Sequence, residues 1–554
     1  MRFLQVLGFW VSCSFGAEAR IGLTVQAFQV AGNPANNVKL SWLSTFNSSS
    51  FNIKRKVENS PYTVIGHAAT GSYDDYGPPS GLLTYQITTD HDLSNEASTP
   101  SSVPASPGFL TFDNTKPSTL RLRSKIKLRN QYFAYEVQNV KGRKQIVEKT
   151  SPNGFVFSQG RVVLTSFQIC AGSLSGTCKL ESIIFLQHPN TSEVVMWAHW
   201  ENGQSYHLGR LAVAFGQPGG KWTFGGSFRP LGHDSRDMSV FVDDDGAGYL
   251  ISATRTNADL NIYALTRDWH NVSSLVTTVL QGQRREAPAM LRYKNFYYLF
   301  TSRASGWYPS AGQYISAPNV KGPWSPSRPI GNIAGFGAQS GQVTKLGSMW
   351  VMGANRWSGR WKPSEPSRQI LLPISFSYGY ASYHFYSSVR YSDDGNHGGV
   401  FGIQSGQIVS VGKKSIADKS SITAGRSNPI NDGIQYETQN LCDIDKVPFT
   451  YEIDLGAAYR LSQVDLSTKL GTGCETAYQF TIEARPIPQA PYEIVVDQRR
   501  NGFPGFVTSS ISSTQVYRYV KLNVLRVVNV HTQREASGEK GIAEWTVYAT
   551  AFKR

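Results

Sequence analysis

Charged side chains are scarce in this sequence, since Asp, Glu, Lys and Arg make up 17% of its 554 residues. A disordered, solvating chain needs a larger charged fraction and fewer apolar residues, so that class is excluded. Helix-period segments longer than about three turns are also hard to find. Aromatic residues reach 12% and glycines number 51, which favours short strands and tight turns. The sequence therefore predicts an all-β protein, with a length suited to about three domains.

The net charge of +15 is spread along the chain rather than gathered in one block. The densest cluster runs from Arg121 to Arg129 and continues through Lys144. A solvated basic face explains such a distribution, and attraction for a glycan that bears uronic acid is the alternative. We expect neither a nucleic-acid partner nor a membrane partner.

The N-terminus has the three parts of a secretory signal peptide. Met1 and Arg2 precede an apolar run, Phe3 to Phe15, and a small-x-small site that ends at Ala19. The run is too short to span a membrane, and no later stretch approaches ~18 continuous apolar residues. The sequence predicts cleavage of residues 1–19 and a secreted, extracellular protein. Three N-glycosylation sequons fit a eukaryotic export route, at Asn47, Asn190 and Asn271.

Cysteine is rare, with five in the whole chain. Removal of the signal peptide removes Cys13 and leaves an even number, which in an exported chain implies disulfides. Proximity favours Cys170–Cys178 and Cys442–Cys474, one of three pairings, and free buried thiols are the alternative. Zinc is not expected because Cys-x-x-Cys is absent.

Two stretches of low order divide the chain. A Pro- and Ser-rich linker is predicted at 99–108, and a Gly-, Ser- and Lys-rich linker at 392–424. Residues 20–98, with strand-like runs at 38–42, 51–55 and 83–87, resemble a fibronectin type III sandwich, although another small β-sandwich would fit the same pattern.

The middle segment, 109–391, contains five recurring β-runs. Their central residues, Phe133, Val195, Tyr249, Tyr298 and Trp350, are separated by about 62, 54, 49 and 52 residues. Periods near 50 residues are typical of β-propeller blades, so five blades are predicted. Chance recurrence of apolar strands is the alternative.

Polar residues recur at similar phase in these repeats. Asp237 and Glu286 each lie 12 residues before the central residue of their run. Glu181 lies 14 before and Gln339 lies 11 before, while Glu136 follows the first run. Because inner strands of a propeller converge, these groups are candidates for one site. A protonated and an ionised carboxyl together are the minimum for glycoside hydrolysis. The alternative is that they are isolated surface carboxylates, as expected for the hairpin turn Asp243–Gly246.

Segment 235–246 resembles the second-acid segment of glycoside hydrolase family 43, and Arg285-Glu286-Ala287-Pro288 resembles the general-acid segment of that family. Segments 301–309, 336–340 and 355–357 resemble its exo-β-1,3-galactanase-like branch. The resemblance covers roughly residues 115–390. It implies a five-bladed propeller that hydrolyses O-glycosyl bonds with inversion. We expect no cofactor and no metal.

The same resemblance implies roles for particular residues. Glu286 would be the general acid, Asp237 would hold its pKa and orientation, and Gln339 would stand where water is activated. Substrate contacts would come from Glu136, Glu181, Trp307, Arg356 and Trp357. The sequence departs from the family pattern at the usual first-blade Asp, whose phase falls on Arg121, and at Ser182, where Arg-Pro is usual. The base therefore stays open between Gln339 in an unusual tautomer and a relay through Glu136, unless turnover is very slow.

Segment 425–554 resembles a discoidin-type, galactose-binding-like sandwich, on Asn431-Asp432-Gly433, 451–456, 517–522 and Glu544-Trp545. It would bind sugar or serve a structural or protein-binding role. The favoured function is a monomeric, secreted, exo-acting hydrolase of β-1,3-galactan or arabinogalactan side chains. The alternatives are a catalytically weakened propeller that binds cell-wall glycan and a protein-interaction scaffold.

Overall fold

We describe a computed structural model of the chain. It covers residues 21–31, 33–44, 48, 50–69, 71–90, 92–100, 110–115, 125–141, 143–154, 156–171, 173, 176–203, 205–346, 349–357, 368–391, 400–436, 441–471 and 475–550. The predicted signal peptide, Asn47, Arg121 and Cys474 lie outside these residues. Within them the chain is all-β, as predicted, and helix is limited to α1 (Ser166–Ile169) and two 3-10 turns, Pro230–Gly232 and Lys419–Ser421. No helix in the described ranges is long and apolar enough to cross a membrane.

Two sheets form the N-terminal part. Its strands are β1 (Ile21–Val30), β2 (Asn33–Ser44), β3 (Phe51–Val57), β4 (Thr63–Ala68), β5 (Ser72–Tyr76), β6 (Leu82–Thr88), β7 (Ala97–Pro100) and β8 (Leu110–Asp113). One sheet has the order β4-β3-β6-β7. Leu40 and Trp42 of the other sheet pack against Ile53 and Tyr85 of this one, which buries the alternating apolar residues between the two layers. We call these layers the N-terminal sheet pair.

The second layer of this pair is completed by two strands that are distant in sequence. Strands β29 (Ser388–Tyr391) and β30 (Val400–Gln404) extend it in the order β5-β2-β1-β30-β29-β8. Strand β1 runs parallel to β30, with Phe28 opposite Gly402. The structure therefore differs from the expected linker at 392–424, because β30 pairs with both β1 and β29 within this Gly- and Ser-rich stretch.

Between β8 and β29 the chain forms five successive four-stranded antiparallel sheets. Their strands are β9 (Lys125–Leu128), β10 (Gln131–Val140), β11 (Arg143–Ser151), β12 (Arg161–Leu164); β13 (Lys179–Gln187), β14 (Val194–Glu201), β15 (Arg210–Gly216), β16 (Trp222–Phe228); β17 (Met238–Val242), β18 (Gly248–Thr254), β19 (Asp259–Leu265), β20 (Val272–Val279); β21 (Arg285–Tyr293), β22 (Phe296–Arg303), β23 (Gly312–Ala317), β24 (Arg328–Ile330); and β25 (Gln339–Leu346), β26 (Met349–Arg356), β27 (Arg368–Ser377), β28 (Tyr380–Tyr383).

Each of these sheets is a meander whose strands follow the sequence order. Every residue of β14 is buried, as expected for a strand with both faces covered. The first strands of successive sheets lie beside one another, β13 next to β17, β17 next to β21 and β21 next to β25. The predicted hairpin turn is confirmed, since Gly246 donates to the carbonyl of Asp243 (2.9 Å) and has a φ of 85°.

The C-terminal part is a second pair of sheets. Its strands are β31 (Gln407–Ile408), β32 (Lys414–Ala417), β33 (Ile422–Ser427), β34 (Cys442–Ile444), β35 (Phe449–Tyr459), β36 (Leu461–Thr468), β37 (Thr476–Arg485), β38 (Glu493–Gln498), β39 (Phe506–Ser510), β40 (Tyr517–Asn529) and β41 (Lys540–Ala549). The two sheets, β33-β34-β41-β36-β39 and β32-β35-β40-β37-β38, enclose a core that includes Phe449, Ile482 and Trp545. We call this unit the C-terminal sheet pair.

One disulfide prediction is confirmed, because Cys170 and Cys178 are bonded, with their Cα atoms 5.3 Å apart. Cys442 is a buried free cysteine among the described residues, and burial raises its pKa to about 12. Its predicted partner Cys474 lies outside them, so that pairing stays a prediction. Asn190 and Asn271 lie in exposed loops, where an oligosaccharide would meet no steric obstacle from the core.

Candidate active site

Three of the predicted site residues lie at the start of the first strand of three different sheets. Glu181, Glu286 and Gln339 pair with His199, Ser302 and Asn355, respectively. In each case the register shifts immediately afterwards, between Glu181 and Ile184, between Glu286 and Ala289, and between Gln339 and Gln342. A β-bulge turns side chains away from the regular alternation. The same irregularity therefore recurs at all three positions, and it brings Gln339 within hydrogen-bond distance of Glu286.

Glu286 is the more enclosed of the two carboxyl groups among them, with 8% of the residue exposed. Its Oε1 accepts hydrogen bonds from Gln339 Nε2 (2.8 Å) and from the backbone N–H of Ser305 (3.2 Å). Its Oε2 accepts a hydrogen bond from Asn257 Nδ2 (3.1 Å). Burial and the nearby charge of Asp237 outweigh these bonds and raise the pKa of Glu286 to about 7. Glu286 can therefore hold and release a proton near neutral pH.

Asp237 connects the second, third and fourth sheets. It precedes β17, and its Oδ1 accepts a hydrogen bond from the Ser182 hydroxyl (3.1 Å). Its Oδ2 accepts one from the backbone N–H of Ala287 (3.1 Å), the residue that follows Glu286. Burial raises the pKa of Asp237, although the charge of His199 and the bond from Ser182 act in the opposite direction. The like charge of Asp237 is thus placed where it affects the proton affinity of Glu286.

Gln339 is held on both sides of its amide. Trp357 Nε1 donates to Gln339 Oε1 (2.8 Å), while Gln339 Nε2 donates to Glu286. An indole N–H is only a donor, so the amide oxygen must face Trp357 and the NH₂ group must face Glu286. In this arrangement Gln339 stabilises the ionised form of Glu286, and its amide oxygen, the only atom of the amide that can accept a hydrogen bond, faces Trp357 instead.

Beside Asp237 lies a buried histidine between two glutamates. His199 is 2% exposed, its Nε2 lies 3.1 Å from Glu201 Oε1 and its Nδ1 lies 3.6 Å from Glu181 Oε2. Burial by itself would lower the pKa of His199, but hydrogen bonding and attraction to the two glutamates raise it. Burial acts to raise the pKa of Glu181, but His199 and the Tyr206 hydroxyl, 2.7 Å from Glu181 Oε1, lower it. Glu181 is therefore an ionised carboxylate at neutral pH.

Aromatic side chains border this group. The ring of Tyr206 lies 6.2 Å from that of Trp307, centroid to centroid, and Lys179 Nζ lies 3.7 Å from the centroid of the Tyr206 ring. Trp307 belongs to the loop that begins after β22, two residues from the Ser305 N–H that binds Glu286. The aromatic faces suit the apolar face of a sugar ring, and the neighbouring carboxyl groups suit its hydroxyl groups.

Two other predicted residues have contacts of a different kind. Glu136 binds Lys149 Nζ (2.7 Å) and accepts from Gln138 Nε2 (2.8 Å), both within the first sheet. Arg356 donates to the carbonyls of Phe336 (2.8 Å) and Asn114 (3.2 Å), so its guanidinium fixes the backbone. The structure thus brings together Asp237, Glu286, Gln339 and Trp357, and Glu181 is joined to them through His199 and Ser182. The contacts described for Glu136 and Arg356 do not link these two residues to that group.

Besides Tyr206, sequence reasoning missed four groups of the site, namely Asn257, Ser305, His199 and Glu201. The first two act from turns whose position depends on the fold, and Asn257 has a φ of 64°, which Asn tolerates better than most residues. The other two leave a signal in the sequence, since His199 and Glu201 interrupt an otherwise apolar central strand. Among the described residues, no group of three or more His, Cys, Asp or Glu side chains is placed to hold a metal ion.

Residues 198–357 match the family described as Glycosyl hydrolases family 43. This match contains Asp237, Glu286 and Gln339 and supports a glycoside hydrolase. No curated protein matches the chain.

Solved structures of exo-β-1,3-galactanases resemble the fold. Two variants of the enzyme from Phanerochaete chrysosporium with β-1,3-galactotriose are 21% and 20% identical to this chain, each with a TM-score of 0.51, and each alignment covers 79% of this chain and 100% of theirs. The exo-β-1,3-galactanase from Clostridium thermocellum is 23% identical, with a TM-score of 0.48, and its alignment covers 75% of this chain and 100% of that one.

Proposed function

We propose that this protein is a secreted glycoside hydrolase that removes sugar from the ends of β-1,3-galactan or arabinogalactan side chains with inversion of the anomeric carbon. The observation that carries the proposal is the buried Glu286 carboxyl group with a pKa of about 7, joined to Gln339 and placed beside Asp237. In this proposal the five four-stranded sheets are the blades of one propeller. The sheet pairs at its two ends are a fibronectin type III-like and a discoidin-like domain.

Glu286 is assigned as the general acid. Its Oε1 accepts two hydrogen bonds and its Oε2 accepts one, from Asn257, so the proton of the neutral form is assigned to Oε2, from which it passes to the leaving glycosidic oxygen. When the proton has left, the bonds from Gln339 and Ser305 stabilise the carboxylate. Before the reaction, Asp237 favours the protonated form of Glu286, because a second negative charge beside Asp237 would have a higher free energy.

An inverting reaction also needs a group that polarises the attacking water. Gln339 is a positioning residue for Glu286 in this assignment, because its amide oxygen faces a donor and its NH₂ group faces the acid. Glu181 is an ionised, partly exposed carboxylate of the site and is the better candidate for this role. Trp307 and Tyr206 supply the apolar surface for a sugar ring.

The galactan substrate is supported by the solved galactanases that share the fold and by the sequence segments 301–309 and 336–340. The decisive experiment is incubation of the secreted protein with a panel of β-1,3-galactans, arabinogalactans and other plant-type glycans. We expect release of monosaccharide from β-1,3-galactan, with the inverted anomer appearing first in a proton NMR time course. Release of larger oligosaccharides, or of the retained anomer, would contradict the proposal.

A second function is favoured by one observation, the commitment of the Gln339 amide to Glu286 and Trp357. If no other group activates water, the same pocket binds galactan ends without turnover. Tight galactan binding by a wild-type protein that releases no sugar would support this second function over the first.

A further inference from the structure

Both hydrogen bonds to Glu286 Oε1 come from segments that rest on the C-terminal sheet pair. Ser305 belongs to the loop that contains Tyr308, and Gln339 is held by Trp357. Tyr308 packs in one apolar cluster with Ala477, Val528 and Val530 of the C-terminal sheet pair, and Trp357, Leu470 and Phe503 pack against the same cluster. One surface of the C-terminal sheet pair therefore supports both partners of the candidate acid.

Polar contacts connect this surface to Ser305 in steps. His531 follows β40 and its Nε2 is hydrogen-bonded to the hydroxyl of Tyr308. The Ser305 hydroxyl donates to the carbonyl of Tyr308 (2.7 Å), and the Ser305 N–H donates to Glu286 (3.2 Å). Tyr308 is 6% exposed, so its ring has little freedom to leave this position.

The segment that delivers Gln339 is held by the same unit. Phe506 lies edge-on to Phe336, with ring centroids 5.3 Å apart, and Asn332 Nδ2 donates to the Ser467 hydroxyl (3.0 Å). The backbone N–H of Ile333 donates to the carbonyl of Gln435 (2.8 Å). These contacts fix the turn between β24 and β25, from which Gln339 emerges.

We infer that the C-terminal sheet pair is a positioning element of the active site, in which His531 and the cluster around Val530 hold the loop that contains Ser305, rather than a module that only tethers the enzyme to glycan. This inference rests on the proposed function in assigning Glu286 as the acid. His531 does not touch the reacting atoms and acts through Tyr308 and Ser305.

The test uses the full chain with His531→Ala, His531→Gln, Tyr308→Phe and the double variant His531→Ala/Tyr308→Phe. Displacement of a catalytic group by about 1 Å costs up to 10²-fold in rate. We therefore expect kcat on β-1,3-galactan to fall roughly 10-fold or more in His531→Ala, with KM little changed. The Gln side chain can restore the hydrogen bond, so His531→Gln should regain most of the activity. The double variant should lose no more than one single variant, since both remove the same bond.

A second measurement does not depend on activity. Hydrogen exchange of the segment 303–310, which contains the Ser305 N–H, should become faster in His531→Ala and in Tyr308→Phe. The matched control His67→Ala replaces an exposed histidine of β4 and should change neither quantity. If the wild type releases no sugar, the proposed function fails and the exchange of segment 303–310 alone decides this inference. Unchanged exchange in both variants, or equal loss of activity in His531→Ala and His67→Ala, would overturn it.

Discussion

The side-chain nitrogen of Gln339 lies 2.8 Å from Oε1 of Glu286, and the amide oxygen of Gln339 faces the indole N–H of Trp357. This relationship defines the direction of the hydrogen bonds at the site, because Trp357 can only donate. The amide therefore stabilises negative charge on Glu286, while burial and Asp237 oppose it. The balance leaves Glu286 with a pKa of about 7, which is suited to an acid that works near neutral pH.

Replacement of Glu286 by Gln should remove the proton donor while keeping the size of the side chain. We expect kcat on β-1,3-galactan to fall by about 10²–10⁴-fold, the usual contribution of a general acid. The loss should be smaller on an aryl galactoside whose leaving group needs no protonation. In the wild type, activity should decline as pH rises through about 7, where Glu286 loses its proton. Initial rates against pH check both points, and full activity of Glu286→Gln on the natural glycan would refute the assignment.

The same substitution should stabilise the protein at alkaline pH. The pKa of Glu286 rises from 4.5 in the unfolded chain to about 7 in the folded protein, so ionisation favours unfolding. The loss of folding free energy caused by this ionisation is absent below about pH 4, grows between about pH 4.5 and 7, and reaches about 3 kcal/mol above that range. Urea unfolding of Glu286→Gln should thus show a gain at pH 8 and little gain at pH 4. The exposed-residue control Glu535→Gln should show no such difference, and a gain equal at both pH values would contradict the buried, raised-pKa carboxyl.

A carboxylate at position 339 should shift the pH profile of activity to higher pH. In Gln339→Glu the new group lies next to Glu286, and two like charges at this distance raise the pKa of the pair. The alkaline limb of kcat/KM should then shift to higher pH, while the oxygen that faces Trp357 is retained and glycan affinity persists. Gln489→Glu, on an exposed loop, is the control for an added negative charge. Unchanged rates, pH profile and affinity would remove Gln339 from the site.

The sequence predicted those parts of the site that depend on a repeated pattern. Asp237 and Glu286 have the same spacing to the central residue of the next strand because each sheet is built from the same meander, and the spacing for Gln339 differs by one residue. The roles of Asn257 and Ser305 depend on where turns from other strands arrive, which no local pattern encodes. The sheet that joins β1 to β30 was missed for a related reason, because pairing of strands more than 370 residues apart leaves no periodic signal in either strand.

Loss of the His199 charge should narrow the pH range of activity from the acidic side. His199 lowers the pKa of Glu181, so in His199→Gln the pKa of Glu181 should rise. If Glu181 must be ionised for turnover, the acidic limb of kcat/KM moves to higher pH. The melting temperature should also fall, because buried Glu201 loses a charged partner 3.1 Å away. His207→Gln replaces an exposed neighbour and serves as the control. An acidic limb at the wild-type position would show that Glu181 does not need His199.

Removal of the N-terminal sheet pair should destabilise the rest of the protein. A chain that starts at Gly108 lacks β1, which pairs with β30, and lacks Phe28, whose fully buried ring lies 6.2 Å from that of Tyr386. It also loses the hydrogen bond from Gln26 Nε2 to the carbonyl of Pro373 in the fifth sheet (3.4 Å). Loss of one large core side chain costs about 3–5 kcal/mol, so in a chain of this length we expect the melting temperature to fall by about 3–5 °C. Calorimetry of this chain, compared with one that starts at Ile21, measures the difference. An unchanged melting temperature and a cooperative transition would show instead that β29 and β30 need no partner from the N-terminal strands.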